Sequence, residues 1–138
     1  MNKTVKLGDG PEVSRVGYGT MQLPGKGVWG ESEDPAGAVE VLRKAVELGI
    51  DFFDTADSYG PFVAEDLLRE ALHPYDGITV ATKAGLIRTG PGQWHQIGRP
   101  EYLRFALEMS LRRLGVEQID LFQLHRIDSQ VPAEEQIG

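Results

Sequence analysis

Asp54, Lys83 and His125 are the side chains best suited to chemistry, because each directly follows a short apolar run. Tyr59 comes five residues after Asp54, in a polar loop. Short apolar runs of this kind are typical of buried strands. If the strands are parallel, their carboxyl ends meet at one rim of the sheet. The pattern therefore predicts one site that contains a carboxylate, an ammonium, an imidazole and a phenol.

Each of these residues also has an ordinary structural interpretation. A lysine at a strand end often lays its aliphatic stem along the protein surface. A histidine is often held by structural hydrogen bonds, and an aspartate often caps the loop that follows a strand. Core packing alone does not explain why three such residues fall at the same end of successive strands. The coincidence favours the functional interpretation.

Carbonyl reduction is the chemistry that best suits these four groups. A carbonyl oxygen that becomes an alkoxide needs a proton donor, and a free phenol with a pKa near 10 is a weak one. A neighbouring ammonium lowers the pKa of a phenol, and a carboxylate keeps that ammonium charged and oriented. A neutral imidazole can donate a further hydrogen bond to the same oxygen.

Composition excludes several other classes of function. The 138 residues suffice for one domain or part of one. Fourteen basic against 21 acidic residues give a net charge of −7, which argues against nucleic-acid and anionic-membrane partners. The absence of cysteine excludes disulfides, and three scattered histidines predict no metal site. Without a signal peptide or an apolar stretch of ~20 residues, the expected location is cytoplasmic.

Strand and helix signals alternate along the chain after an initial hairpin. A loop rich in glycine, which carries Trp94, is expected to run to Gly98. Alternation of this kind predicts an α/β fold with parallel strands joined by helices. The expected hairpin spans 4–7 and 12–16, the strands 16–20, 50–55, 78–82 and 119–124, and the helices 34–49, 63–72 and 100–115, with a last helix from 133.

Four segments of the sequence resemble the aldo-keto reductase family. They are GTM at 19–21, DFFDTADSYG at 51–60, ATK at 81–83 and IDLFQLH at 119–125. The resemblance implies a (β/α)8 barrel of the TIM type with the hairpin at its bottom. It also implies an oxidoreductase that transfers a hydride from NADPH, leaving NADP+, to an aldehyde or ketone.

The same resemblance implies roles for individual residues. Tyr59 would be the general acid, Lys83 and Asp54 the pair that tunes it, and His125 the group that orients the substrate. Trp29 and Trp94, in loops expected at the same rim, are candidates for an apolar substrate wall or simple anchors of their loops. The residues implied to lie against the nicotinamide are Gly19, Thr20, Met21 and Asp54.

A complete barrel needs ~250 residues. Residues 1–138 are therefore expected to form a single incomplete domain, the N-terminal half of an aldo-keto reductase barrel with its hairpin and first four βα units. Within the family, the groups that hold the adenosine and phosphates of the cofactor lie in the other half. We expect either a fragment of a longer enzyme or a short chain that self-associates through its open edges.

Two other functions remain open at this point. A truncated barrel could be catalytically inactive and act as a binding or self-associating module, because a fold does not dictate an activity. Alternatively, Lys83 could form a Schiff base with a carbonyl substrate, as in an aldolase-like barrel. Nothing else in the sequence supports the second alternative.

Overall fold

The computed structural model describes residues 3–138 and confirms the predicted alternation of strands and helices. The elements in chain order are β1 (Thr4–Lys6), β2 (Glu12–Ser14), β3 (Tyr18–Gly19), α1 (Pro35–Glu47), β4 (Phe52–Asp54), α2 (Val63–Leu72), β5 (Thr79–Ala84), β6 (Leu86–Gly90), β7 (Gln93–Gln96), α3 (Pro100–Leu114), β8 (Leu121–Leu124) and α4 (Ala133–Ile137).

Four strands form a parallel sheet in the order β3-β4-β5-β8. Gly19 pairs with Asp54, and Asp54 in turn pairs with Ala81 on β5. Lys83 pairs with Gln123, so His125, just after β8, lies two residues farther along the chain than the level of Lys83. This register brings the carboxyl ends of all four strands to one rim, as the sequence predicts.

Helix α1 shows how local sequence signals set the element bounds. The Asp34 carboxylate accepts a hydrogen bond from the Gly37 N–H at 2.9 Å, and Pro35 occupies the first turn. The helix ends before Gly49, whose φ of +92° favours glycine. One face of α1 is buried, and its buried residues are Ala38, Val39, Leu42 and Ala45.

The main hydrophobic core lies between the parallel sheet and the helices. Phe53 of β4, Leu42 of α1 and Leu68 of α2 are all fully buried there. Leu114 at the end of α3 closes the same cluster. The helices therefore cover one face of the sheet, and the strand ends remain free to carry polar side chains.

The N-terminal hairpin of β1 and β2 lies at the start of β4, away from Asp54. The Ser14 N–H donates to the Asp51 carboxylate at 2.7 Å, and the Asp51 N–H donates to the Ser14 hydroxyl at 3.4 Å. Asp51 directly precedes β4. The hairpin is therefore anchored at the end of the sheet opposite the rim.

The prediction of an irregular loop around Trp94 is wrong. β6 and β7 form an antiparallel hairpin there, in which Ile87 pairs with His95 and Gly90 pairs with Gln93. The Pro91-Gly92 turn joins the strands, and Gly92 has a φ of +65°. Glycine and proline suggested a loop, but here they form the tight turn between two short strands.

Along residues 3–138 the helices are too short and too polar to cross a membrane.

Candidate active site

Asp54 and Lys83 form an ion pair between two neighbouring strand ends. The Lys83 Nζ donates to Asp54 Oδ2 at 2.7 Å and to the backbone oxygen of Thr55 at 2.8 Å. The lysine side chain is only 14% exposed, whereas that of Asp54 is 37% exposed. The ammonium is therefore fixed from two directions, while Asp54 Oδ1 makes no hydrogen bond within residues 3–138.

Tyr59 lies beside this ion pair, in the loop between β4 and α2. Its ring centroid is 5.2 Å from Lys83 Nζ, and the residue is only 6% exposed. The backbone N–H of Tyr59 donates to Ala56 O at 3.3 Å, and its carbonyl accepts from the Ala64 N–H at 3.1 Å. A tight turn that runs into α2 thus holds the phenol at the rim.

His125 completes the group of four residues that the sequence predicts. It directly follows β8, and its backbone N–H donates to the backbone oxygen of Ala84 at 2.7 Å. Its ring centroid lies 5.7 Å from that of Tyr59, with an edge-to-face angle of 82°. Burial, and then the Lys83 charge, lower the pKa of His125 from 6.5 to about 4. The imidazole is therefore neutral at physiological pH.

A cavity of about 440 Å³ opens beside these residues. Its lining residues are Met21, Tyr59, Leu86, Trp94, Gln96, His125 and Arg126. The Trp94 ring centroid is 6.4 Å from that of Tyr59 and 6.5 Å from that of His125. Trp94 thus forms an apolar wall against both polar groups.

Trp29 is not among the residues that line this cavity. It forms an isolated parallel bridge with Gly60, and the Arg88 guanidinium lies 5.7 Å from its ring centroid. The same guanidinium lies 3.7 Å from the Trp94 ring centroid. Both tryptophans therefore contact Arg88, but only Trp94 lines the cavity.

Three residues implied to contact the nicotinamide lie at the end of β3. Gly19 has open space where a side chain would project, and Met21 is 40% exposed at the cavity. The N–H and hydroxyl of Thr20 both donate to Asp54 O, at 3.0 and 3.1 Å. The open backbone at Gly19, the Met21 thioether and Asp54 Oδ1 are groups that fit the flat ring and polar amide of a nicotinamide. Thr20 instead holds β3 and β4 together.

Arg88 is an organising residue that no sequence motif marks, since it falls within the predicted loop. It lies on β6 and stacks on Trp94. Its guanidinium also donates to the backbone oxygens of three chain segments at 2.5–3.3 Å: Gly27, Val28, Ser58, Gly90 and Gln93. It therefore ties the Tyr59 loop to the β6–β7 hairpin.

Asp57 is a buried carboxylic acid in the same loop, and it is only 3% exposed. Its Oδ1 has no hydrogen-bond partner among the described residues. Burial, and then the nearby Glu65 carboxylate, raise its pKa from 3.8 to about 7. Glu65 is itself held by Thr82 at 2.6 Å and Arg113 at 2.5 Å. Asp57 is thus a second, distinct carboxyl group close to the rim.

No group of three or more histidine, aspartate or glutamate side chains within residues 3–138 could hold a metal ion.

Comparison with known families gives a match over residues 15–138, to the model of the Aldo/keto reductase family. An uncharacterized oxidoreductase of Schizosaccharomyces pombe is 56% identical over 135 residues, which are 98% of this chain. Pyridoxine 4-dehydrogenase of Escherichia coli is 42% identical over 125 residues, or 88% of this chain. The chain spans 44% of the length of each of these relatives.

Solved structures give the same result. An aldo-keto reductase of Bacillus halodurans in its holo form matches with a TM-score of 0.82 and 34% identity, over 98% of this chain and 44% of its own. The glycerol dehydrogenase of Gluconobacter oxydans matches with a TM-score of 0.82 and 35% identity, over 97% of this chain and 42% of its own. The predicted fold is therefore confirmed: the parallel sheet and its helices form part of a (β/α)8 barrel.

Proposed function

The chain belongs to the aldo-keto reductase family, and from that premise we propose that this protein reduces aldehydes and ketones to alcohols with a hydride from NADPH. One observation carries the proposal. Tyr59 and the neutral His125 imidazole line one cavity, and the Asp54–Lys83 ion pair lies beside the Tyr59 ring.

Tyr59 is the proposed general acid. Reduction places negative charge on the substrate oxygen, and a phenol at hydrogen-bond distance can supply the proton. The Lys83 ammonium, whose Nζ lies 5.2 Å from the Tyr59 ring centroid, would stabilise the phenolate that remains. Since Asp54 and Thr55 hold that ammonium in place, its charge is available to the phenolate without reorganisation.

His125 is proposed to orient the carbonyl. A neutral imidazole donates one hydrogen bond and does not compete with Tyr59 as an acid. Trp94 supplies the apolar wall opposite these polar groups, which favours carbonyl compounds with an apolar or aromatic body. The name of the Escherichia coli relative makes pyridoxal one compound to test.

Gly19, Met21 and Asp54 are proposed to contact the nicotinamide end of the cofactor. When bound there, NADPH supplies the hydride that reduces the carbonyl carbon. The exposed backbone of Gly19 allows a ring to approach closely, and the second Asp54 oxygen can accept a hydrogen bond from a carboxamide. The preference for NADPH over NADH rests on the family resemblance.

The first test is a titration of the 138-residue chain with NADPH, followed by tryptophan fluorescence. Trp94 lines the cavity, so we expect saturable quenching, which the variant Trp94→Phe should lose and Trp29→Phe should largely retain. Absence of binding up to millimolar NADPH would contradict a cofactor site on this chain. The same titration with NADH tests the preference for the phosphorylated cofactor.

Activity is tested by following NADPH oxidation with a panel of aldehydes that includes pyridoxal. Tyr59→Phe removes only the phenolic hydroxyl and is expected to lower kcat by at least ~100-fold, the usual contribution of a general acid. Tyr18→Phe is the matched control, because the Tyr18 ring packs on Phe53 in the core, 5.9 Å between centroids. Unchanged reduction in Tyr59→Phe would exclude Tyr59 as the acid.

The aldolase-like alternative receives little support from the structure. A Schiff-base lysine attacks as a neutral amine. The Lys83 nitrogen instead donates to the Asp54 carboxylate and to a backbone oxygen, which stabilises the ammonium form. Borohydride trapping of a carbonyl compound on Lys83 would favour this alternative.

Self-association stays a prediction. Among the described residues, β3 and β8 each pair on one side only within the parallel sheet, and unpaired edges favour contact with another chain. Sedimentation of the 138-residue chain tests this, and a monomer at high concentration would contradict it. A complex that forms without carbonyl reduction would favour a binding module.

A further inference from the structure

Ser58 contacts His125 but is not among the residues that line the cavity beside it. Its Oγ lies 3.3 Å from His125 Nδ1, and the serine is 2% exposed. Within residues 3–138 this hydroxyl makes no other hydrogen bond. His125 Nε2 also makes no hydrogen bond within these residues, but it is not a fully buried atom. Nε2 is therefore open to the cavity that His125 lines.

The direction of the Ser58–His125 hydrogen bond follows from the needs of the hydroxyl. A buried O–H group that donates to nothing has lost its hydrogen bonds to water without replacement, which destabilises the folded state. If Nδ1 carried the proton, it would donate to Ser58, and the hydroxyl proton would have no acceptor among the described residues. If Nδ1 is unprotonated, the hydroxyl donates to it and is satisfied.

The surrounding charges keep the ring in a single protonation state. Lys83 and Arg126 both disfavour a positive charge on the imidazole, and burial acts in the same direction. Asp54 opposes them, but Lys83 neutralises it at 2.7 Å. The ring also contacts two aromatic side chains, Tyr59 and Trp94. The ring is therefore neutral, and only one of its nitrogens carries a proton.

We propose that Ser58 is a positioning residue that donates to His125 Nδ1 and thereby places the imidazole proton on Nε2, the nitrogen at the cavity. An Nε2–H group is a donor, which is what a substrate oxygen requires of this side chain. The proton arrangement itself follows from Ser58, whereas its use toward a carbonyl rests on the proposed function.

Histidine side-chain NMR tests the arrangement without any substrate or cofactor. Long-range 1H–15N spectra of the labelled chain at pH 7 distinguish a protonated from an unprotonated ring nitrogen. We expect Nε2 of His125 to be protonated and Nδ1 to be an acceptor, with the signals assigned by their loss in His125→Gln. A proton on Nδ1 in the unsubstituted chain would overturn the proposal.

Substitutions of Ser58 test its role. Ser58→Ala is expected to shift the Nδ1 resonance of His125 as the donor is lost, and Ser58→Thr, which keeps the hydroxyl, to restore it. Identical His125 spectra in the unsubstituted chain and Ser58→Ala would overturn the proposal. Thr89→Val is the matched control: Thr89 Oγ1 lies 2.8 Å from His95 Nε2, so only the His95 signals should change.

Kinetics separate this proposal from the proposed function. In protein that reduces aldehydes, Ser58→Ala should lower kcat/KM roughly tenfold, the value of about one hydrogen bond, with recovery in Ser58→Thr. Protein without reductase activity would contradict the proposed function and leave the NMR result to decide on Ser58. Activity that is unchanged in Ser58→Ala, despite a shifted Nδ1 resonance, would overturn the link between this proton arrangement and the carbonyl.

Discussion

Replacing Asp57 with asparagine is expected to stabilise the folded chain by an amount that grows with pH. The Asp57 carboxyl is 3% exposed and its Oδ1 lacks a hydrogen-bond partner among the described residues. Burial is the main reason why its pKa rises from 3.8 to about 7, and Glu65 adds to it. Ionising this group in the folded chain therefore costs free energy that an asparagine does not incur.

The sign follows from proton binding. Between pH 3.8 and about 7 the folded chain retains the Asp57 proton, whereas the unfolded chain has released it. Stability then falls as pH rises through this window, because the folded state binds more protons. A shift of about three pKa units, at 1.36 kcal/mol each, corresponds to about 4 kcal/mol. The penalty is absent below pH 3.8 and complete above pH 7.

His125 has the opposite effect, and it cancels in the comparison. Its pKa is lowered from 6.5 to about 4, so the unfolded chain binds the extra proton between these values and stability rises with pH there. Both the unsubstituted chain and Asp57→Asn contain His125. The difference between their free energies of unfolding therefore isolates the contribution of Asp57.

The assay is urea unfolding of the 138-residue chain and of Asp57→Asn at pH 3.5, 5, 6.5 and 8, followed by tryptophan fluorescence. We expect the stability difference to grow by about 4 kcal/mol from the lowest to the highest pH. Asp76→Asn, which removes an exposed carboxyl, controls for the change in net charge. A difference for Asp57→Asn that stays constant with pH would refute the argument that burial is costly for this carboxyl.

Two further substitutions test the scaffold around the site. Arg88→Lys keeps the charge but loses the planar group that stacks on Trp94 and reaches several backbone oxygens. We expect the free energy of unfolding in urea to fall by roughly 2 kcal/mol and the Trp94 fluorescence to change. Unchanged stability and fluorescence would show that Arg88 does not tie the loops together. Asp34→Ala removes the N-cap hydrogen bond to Gly37 and should lower the free energy of unfolding by about 1 kcal/mol without altering NADPH binding. A loss of NADPH binding would contradict this and would mean that α1 affects the rim.

The sequence was sufficient to locate the four residues at the rim, because their positions depend on strand order and register. Asp54, Lys83 and His125 each end an apolar run, and parallel pairing brings the ends of such runs together. Tyr59 follows in a short loop that cannot reach far from β4. Such positions depend only on spacing along the chain and on the rule that the carboxyl ends of parallel strands meet at one edge of the sheet.

Other features depend on long-range contacts that no local pattern encodes. Arg88 bonds to backbone oxygens 30 and 61 residues away, at Ser58 and Gly27. Backbone oxygens carry no residue identity, so nothing in the sequence marks them as its partners. The β6–β7 hairpin was missed for a related reason, since its short strands lie next to a Gly-Pro-Gly segment that favours a loop.

The contrasting environments of Asp57 and Ser58 follow from the turn that ends the segment after β4. The Thr55 N–H donates to Ala81 O at 2.8 Å, and the Asp57 N–H donates to Lys83 O at 3.2 Å, so the backbone stays paired with β5 as far as Asp57. Asp57 and Ser58 then occupy the central positions of a turn, which the Tyr59 N–H closes by donating to Ala56 O at 3.3 Å. The Asp57 carboxyl is buried in the field of Glu65 on α2, whereas Ser58 Oγ lies 3.3 Å from His125 Nδ1. Asp and Ser are typical turn residues, so the sequence predicts the polar loop. The direction of each side chain depends on the geometry of the turn, which residue types alone do not determine.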